Sequence, residues 1–154
     1  MIDAESLCEM IRKGGVITSV SGETLESLYA DVVHKIAVPA GVSTEVLLSE
    51  MLEREKILST AVGHGVAIPH PRKQLVADES DQRVCICFLE KPFDMHAPDK
   101  HAVSVLFVLL TSVAGSHLEI LSAIASLLQK SEFKKILDTK PDEETLIGAV
   151  KQFW

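Results

Sequence analysis

The chain has 154 residues, 22 of them acidic and 15 basic, for a net charge of −7 at pH 7. Hydrophobic residues make up 47%, which excludes disorder, since a disordered chain combines low hydrophobicity with high charge. The acidic balance argues against nucleic acid as a partner, because that binding needs clustered Lys and Arg to displace counterions.

At this length one domain spanning residues 1–154 is expected. Leu7, Met10 and Ile11 have helical spacing and stop at the Gly14-Gly15 pair, predicting a short first helix. Val16, Thr18 and Val20 alternate with their neighbours as a strand does. Leu25, Leu28, Tyr29, Val32, Val33 and Ile36 recur at i, i+3, i+4, i+7, i+8 and i+11, an amphipathic helix that Pro39 bars from continuing. A third helix is predicted over residues 43–55, burying Val46, Leu47 and Met51. Residues 66–68 read as a short strand with loops on either side. Residues 84–89 and 103–110 are near-continuous apolar runs, the pattern of strands covered on both faces. A helix is predicted from 116 or 117 to 129 with Leu118, Leu121, Ile124, Ala125 and Leu128 inward, and shorter helices over 132–137 and 142–153. Pro141 and the acidic Asp142, Glu143 and Glu144 suit the first turn of the last one. The mixed order of elements predicts an α/β fold, a mixed central β-sheet flanked by helices on both faces.

Asp3 and Glu5 stand where a secretory signal would carry basic residues. The longest apolar run, residues 102–110, is interrupted by Ser104 and falls short of the roughly 20 residues of a membrane-spanning helix. Cys8, Cys85 and Cys87 are an odd number in a chain large enough to fold without staples. These features predict a cytoplasmic protein with no direct membrane insertion.

The segment 59–73, STAVGHGVAIPHPRK, differs from the rest. His70 lies between Pro69 and Pro71, and Pro71 pushes it toward extended geometry. Gly63 and Gly65 let the backbone approach a ligand or adopt positive φ. Ser59 and Thr60 supply hydroxyls, and Arg54 supplies a guanidinium suited to phosphate oxygens. Together these form a phosphoryl-handling set, although a loop histidine between prolines is more often an ordinary surface residue. His117 follows Gly115 and Ser116 at a helix start, where the dipole favours anions and a neutral imidazole. From spacing alone, an incidental histidine in a helix-capping region is the better reading. Cys85 and Cys87 point to one face of a strand, and His64, His96 and His101 are further candidate ligands. No Cys-x₂-Cys or His-Glu-x-x-His motif accompanies them, so no metal site is expected.

The run from Arg54-Glu55 through Ser59-Thr60, Gly63-His64-Gly65 and Ala67-Ile68-Pro69-His70 resembles the signature of the enzyme IIA family of the bacterial phosphotransferase system. The type is the fructose/mannitol one, which includes the nitrogen-regulatory IIA proteins. A second likeness lies in residues 106–110 followed by Gly115-Ser116-His117-Leu118. The resemblance implies that His70 is the phosphorylated histidine, with Arg54 beside it and His117 as the second active-site histidine. Ser59, Thr60, Gly63 and Gly65 would help stabilise the phosphoryl group, and no cofactor is implied. The donor would be HPr or its nitrogen-branch relative, docking on a shallow apolar surface. The recipient would be a regulated protein or a IIB acceptor. Residues 106–110, and a chain ending at Trp154 without a IIB or IIC segment, read closer to the regulatory branch. A sugar-specific IIA and a binding module lacking phosphotransfer are the alternatives. His64 inside the Gly-x-Gly loop and Pro71 after His70 depart from the family pattern.

Overall fold

Helix α1 (Ala4–Gly14) starts where the Asp3 carboxylate accepts the Ser6 N–H at 2.8 Å, occupying one of the free donors of the first turn. The computed structural model that shows this describes residues 2–112 and 114–154. Gly14 ends the helix against the next layer: a Cβ there would lie 2.1 Å from the Val84 carbonyl oxygen, so only glycine permits the approach. Strand β1 (Val16–Val20) follows, then α2 (Leu25–Lys35), opened by a reciprocal Thr24–Ser27 capping box. Helix α3 (Thr44–Ile57) is capped by Ser43, and strands β2 (Ala61–Gly63) and β3 (Val66–Ala67) form a small antiparallel hairpin. The long strands β4 (Arg83–Phe93) and β5 (Val103–Leu110) precede α4 (Ala114–Leu128), α5 (Ser131–Asp138) and α6 (Glu143–Phe153). Asp142 caps α6 by accepting the Thr145 N–H at 2.9 Å.

The strands form one mixed sheet in the order β1-β4-β5-β3-β2, with β1 parallel to β4, β4 antiparallel to β5 and β3 parallel to β5. Alternation along the two central strands feeds two cores, as a period of two requires. Val84, Ile86 and Phe88 of β4, with Val105, Phe107 and Leu109 of β5, pack under α1, α4, α5 and α6 against Leu7, Ile11, Ile124, Phe133 and Leu146. Cys85, Cys87 and Leu89, with Leu106, Val108 and Leu110, meet Leu28, Tyr29, Val32, Leu47 and Met51 of α2 and α3. The predicted sheet covered on both faces is the observed one. Burial also pushes the Cys85 thiol up to about 12, so these cysteines are core side chains.

Several expectations need correction. Helix α3 runs to Ile57, and its buried face is Leu47, Glu50 and Met51, leaving Val46 47% exposed. Residues 61–63 are a strand, because Ala61 and Gly63 find partners in Ala67 and Val66 across the Gly63-His64-Gly65 turn. Strand β4 continues to Phe93. In α4 the inward face is Ile120, Ile124, Leu127 and Leu128, and Leu118 is 65% exposed. The helix begins at Ala114, so His117 lies within its first turn and not at its first residue. Among the described residues, no helix is long and apolar enough to cross a membrane.

Candidate functional site

His70 stands where the chain leaves β3 and continues beside β5. The Ile68 N–H donates to the Thr60 carbonyl at 3.0 Å, and the Leu109 N–H donates to the Pro69 carbonyl at 2.8 Å. The residues just before His70 are therefore pinned from both sides, and its ring is half-buried. Its Nδ1 lies 2.9 Å from the Ile68 carbonyl oxygen. A carbonyl only accepts, so Nδ1 carries the proton and Nε2 keeps a lone pair. Burial lowers the His70 pKa below the ordinary 6.5 and the Arg54 charge lowers it further, opposed by the Ile68 hydrogen bond and the Glu55 carboxylate. The ring is thus held as neutral imidazole at pH 7.

Because β3 and β5 run parallel with Ala67 opposite Leu106, their C-terminal ends open on the same edge of the sheet. Thr111, one residue past β5, and His117, in the first turn of α4, join His70 there. The His70 and His117 rings meet edge to face, centroids 4.5 Å apart and planes at 66°. His117 Nδ1 is 3.2 Å from the Thr111 hydroxyl oxygen. Burial, followed by the nearness of His70 and Arg54, pushes the His117 pKa down to about 4. Arg54, in the last turn of α3, donates from Nη1 to the Leu58 carbonyl at 2.6 Å and faces the same opening. The result is a cleft of about 500 Å³ whose lining includes Arg54, His70, Pro71, Arg72, Thr111, His117 and the exposed Leu118.

Of the residues picked out from the sequence, Arg54, His70 and His117 come together. Ser59, Thr60, Gly63 and Gly65 do not line this cleft. The Ser59 hydroxyl donates to the Met95 carbonyl. Thr60 is buried, its hydroxyl on Glu55 Oε1 and its N–H 3.1 Å from Glu55 Oε2. Gly63 and Gly65 have φ of 91° and 76° and shape the hairpin turn, where the His64 N–H donates to Asp99 at 2.8 Å. These hydroxyls and glycines have internal partners or turn duties because the hairpin packs on the end of α3 and on the loop after β4.

Sequence reasoning missed Thr111 and Arg72. Thr111 had one available signal, its place directly after a buried strand, where open α/β sheets carry their sites. Arg72 is tied to Glu50, through its N–H to the Glu50 carbonyl at 3.0 Å and Nη2 to Oε1 at 3.2 Å. Chemically, the cleft offers a nucleophilic nitrogen lone pair flanked by a guanidinium and a second neutral imidazole. That is an arrangement for attack on an electrophilic centre bearing anionic oxygens.

The sequence model described as "Phosphoenolpyruvate-dependent sugar phosphotransferase system, EIIA 2" matches residues 9–152. The nitrogen regulatory protein of Pseudomonas aeruginosa is 28% identical over 146 residues, covering 92% of each chain. A fructose-specific EIIA component of Haloferax volcanii is 34% identical over 110 residues, 68% of this chain and 70% of that protein. The crystal structure of the nitrogen regulatory protein IIA-Ntr from Neisseria meningitidis superposes with a TM-score of 0.79 at 25% identity, covering 93% of this chain and 97% of that one.

Proposed function

Since this chain belongs to the EIIA 2 family of the phosphoenolpyruvate-dependent sugar phosphotransferase system, we propose that it is a phosphocarrier of the nitrogen-regulatory kind that accepts a phosphoryl group on His70. The observation carrying this reading is the 2.9 Å contact of His70 Nδ1 with the Ile68 carbonyl, which leaves Nε2 as the nucleophile. The donor is an HPr-type phosphohistidine protein. The Nε2 lone pair attacks phosphorus, the phosphorus–nitrogen bond of the donor breaks, and the donor imidazole keeps that electron pair. No proton has to leave His70, because Nδ1–H stays on Ile68. Arg54 and His117 steady the charge on the phosphoryl oxygens, so the work is positioning and electrostatics. The phosphorylated and free forms then act differently on a regulated protein.

The 34% identity to a fructose-specific EIIA component favours a second reading, delivery of the phosphoryl group to a IIB protein. Incubation with enzyme I, HPr and phosphoenolpyruvate, followed by intact mass, tests the common step. One acid-labile, base-stable phosphoryl group is expected, absent in His70→Ala, and undiminished labelling of that variant refutes the assignment. Adding a fructose-type IIB protein then separates the two readings, since rapid loss of the label to it favours sugar transport.

A further inference from the structure

Both histidines of the cleft make a hydrogen bond through Nδ1, but to partners of different character. The Ile68 carbonyl can only accept and so fixes the proton of His70. The Thr111 hydroxyl can donate or accept, so its orientation decides which nitrogen of His117 is protonated. Thr111 is 5% exposed, and among the described residues its hydroxyl bonds only to His117 Nδ1, at 3.2 Å.

We propose that Thr111 is a positioning residue that donates its hydroxyl hydrogen to His117 Nδ1 and so holds His117 as the neutral Nε2–H tautomer, a hydrogen-bond donor for phosphoryl oxygens at His70. This rests on His70 being the phosphoryl acceptor. Burial and the Arg54 guanidinium disfavour an imidazolium at His117. A neutral ring attracts an anionic oxygen only through an N–H. With Nδ1 facing Thr111, the N–H that serves the cleft has to be at Nε2. Were the proton on Nδ1 instead, Nε2 would present a lone pair to the incoming oxygens and repel them. The edge-to-face pair then carries opposite tautomers: His70 has Nδ1–H and an Nε2 lone pair, His117 an Nδ1 lone pair and Nε2–H. One ring attacks and the other donates, with neither charged.

The tautomer can be read without any donor protein, from long-range proton–nitrogen NMR of ¹⁵N-histidine-labelled protein near neutral pH. Nε2-protonated His117 is expected in the parent and in Thr111→Ser, and a mixture of tautomers in Thr111→Val. In the phosphorylation assay Thr111→Val should lower the maximal rate about tenfold with the KM for HPr unchanged, a partial version of losing an oxyanion donor. Thr111→Ser should restore the parent rate. An Nδ1-protonated His117 in the parent overturns the proposal, and so does a Thr111→Val protein that keeps one Nε2–H tautomer and the parent rate. Should Thr111→Val fail to fold, the parent tautomer still decides. If the parent takes no label on His70, the functional reading falls, while the spectrum judges Thr111 separately.

Discussion

The Tyr29 hydroxyl donates to Glu55 Oε1 at 2.8 Å, joining α2 to the last turn of α3. The same carboxylate takes the hydroxyl and the N–H of Thr60, so three donors from two segments converge on one side chain. Burial, then the Glu55 charge, raises the Tyr29 pKa, which keeps the phenol a donor. This knot fixes the corner between α3 and β2, and Arg54 is the residue immediately before it. The Arg54-Glu55…Ser59-Thr60 spacing therefore serves two ends: Arg54 faces the cleft, and Glu55 with Thr60 holds the corner that aims it.

Glu55→Ala should leave the Tyr29 and Thr60 hydroxyls unpaired in a largely buried setting. A loss of about 3 kcal/mol is expected from two or more orphaned donors, with Tyr29→Phe costing about 1 kcal/mol. Urea unfolding of the three proteins checks this. A Glu55→Ala midpoint equal to the parent's would show that the knot adds nothing.

Acid should reveal the burial of the cleft histidines. An unfolded His117 takes its proton near 6.5, whereas the folded one resists until about 4. Between those values the unfolded state binds more protons, so stability falls as pH drops through that window. His70, shifted in the same direction, adds to the effect. His117 is only half-buried, so screening shrinks the slope. Urea midpoints from pH 7 down to 5 should decline less in His117→Gln than in the parent, and parallel declines would contradict the shift.

Arg54 lowers the pKa of both histidines through its charge. Arg54→Ala should therefore raise both values in an NMR titration, and slow phosphorylation of His70 by roughly 10²-fold as a charge-stabilising donor is lost. Arg54→Lys should keep the lowered pKa values, since the charge remains, while recovering only part of the rate, since the planar fork is gone. Unmoved histidine pKa values in Arg54→Ala would place the guanidinium outside electrostatic reach.

What the sequence made legible follows from which interactions are local. The two-sided burial of β4 and β5 is written in their unbroken apolar runs, and the meeting of Arg54, His70 and His117 was implied by the family signature. Val46 and Leu118 were misplaced because apolar residues outnumber the inward positions on α3 and α4, and packing partners choose among them. Glu50 reads as a surface residue in the sequence, yet it is buried beneath Arg72. The role of the Gly63-His64-Gly65 turn depends on Asp99, 35 residues beyond His64. Thr111 is one hydroxyl among many until α4, the helix after β5, sets His117 beside it.

Pro71 adjoins the nucleophile and lines the cleft. Its ring supplies no N–H and limits φ to near −65°, so any contact a backbone donor could make with the phosphoryl group at that position is absent. The scaffold, however, already fixes the chain on either side. Leu109 holds the Pro69 carbonyl at 2.8 Å, and the Arg72 N–H is bonded to the Glu50 carbonyl at 3.0 Å. His70 is further restrained by its own ring bond to Ile68. With the segment pinned in this way, Pro71→Gly should leave the folded geometry intact and act mainly by widening the unfolded ensemble, costing about 1 kcal/mol. For a chain of this size that lowers the melting temperature by roughly 2–4 °C. The phosphorylation rate should stay within a few-fold of the parent, because the charge stabilisation comes from Arg54 and His117. A gain of a hundredfold or more would instead mean that Pro71 withholds an N–H the transfer needs, and that this chain works chiefly by binding its partners.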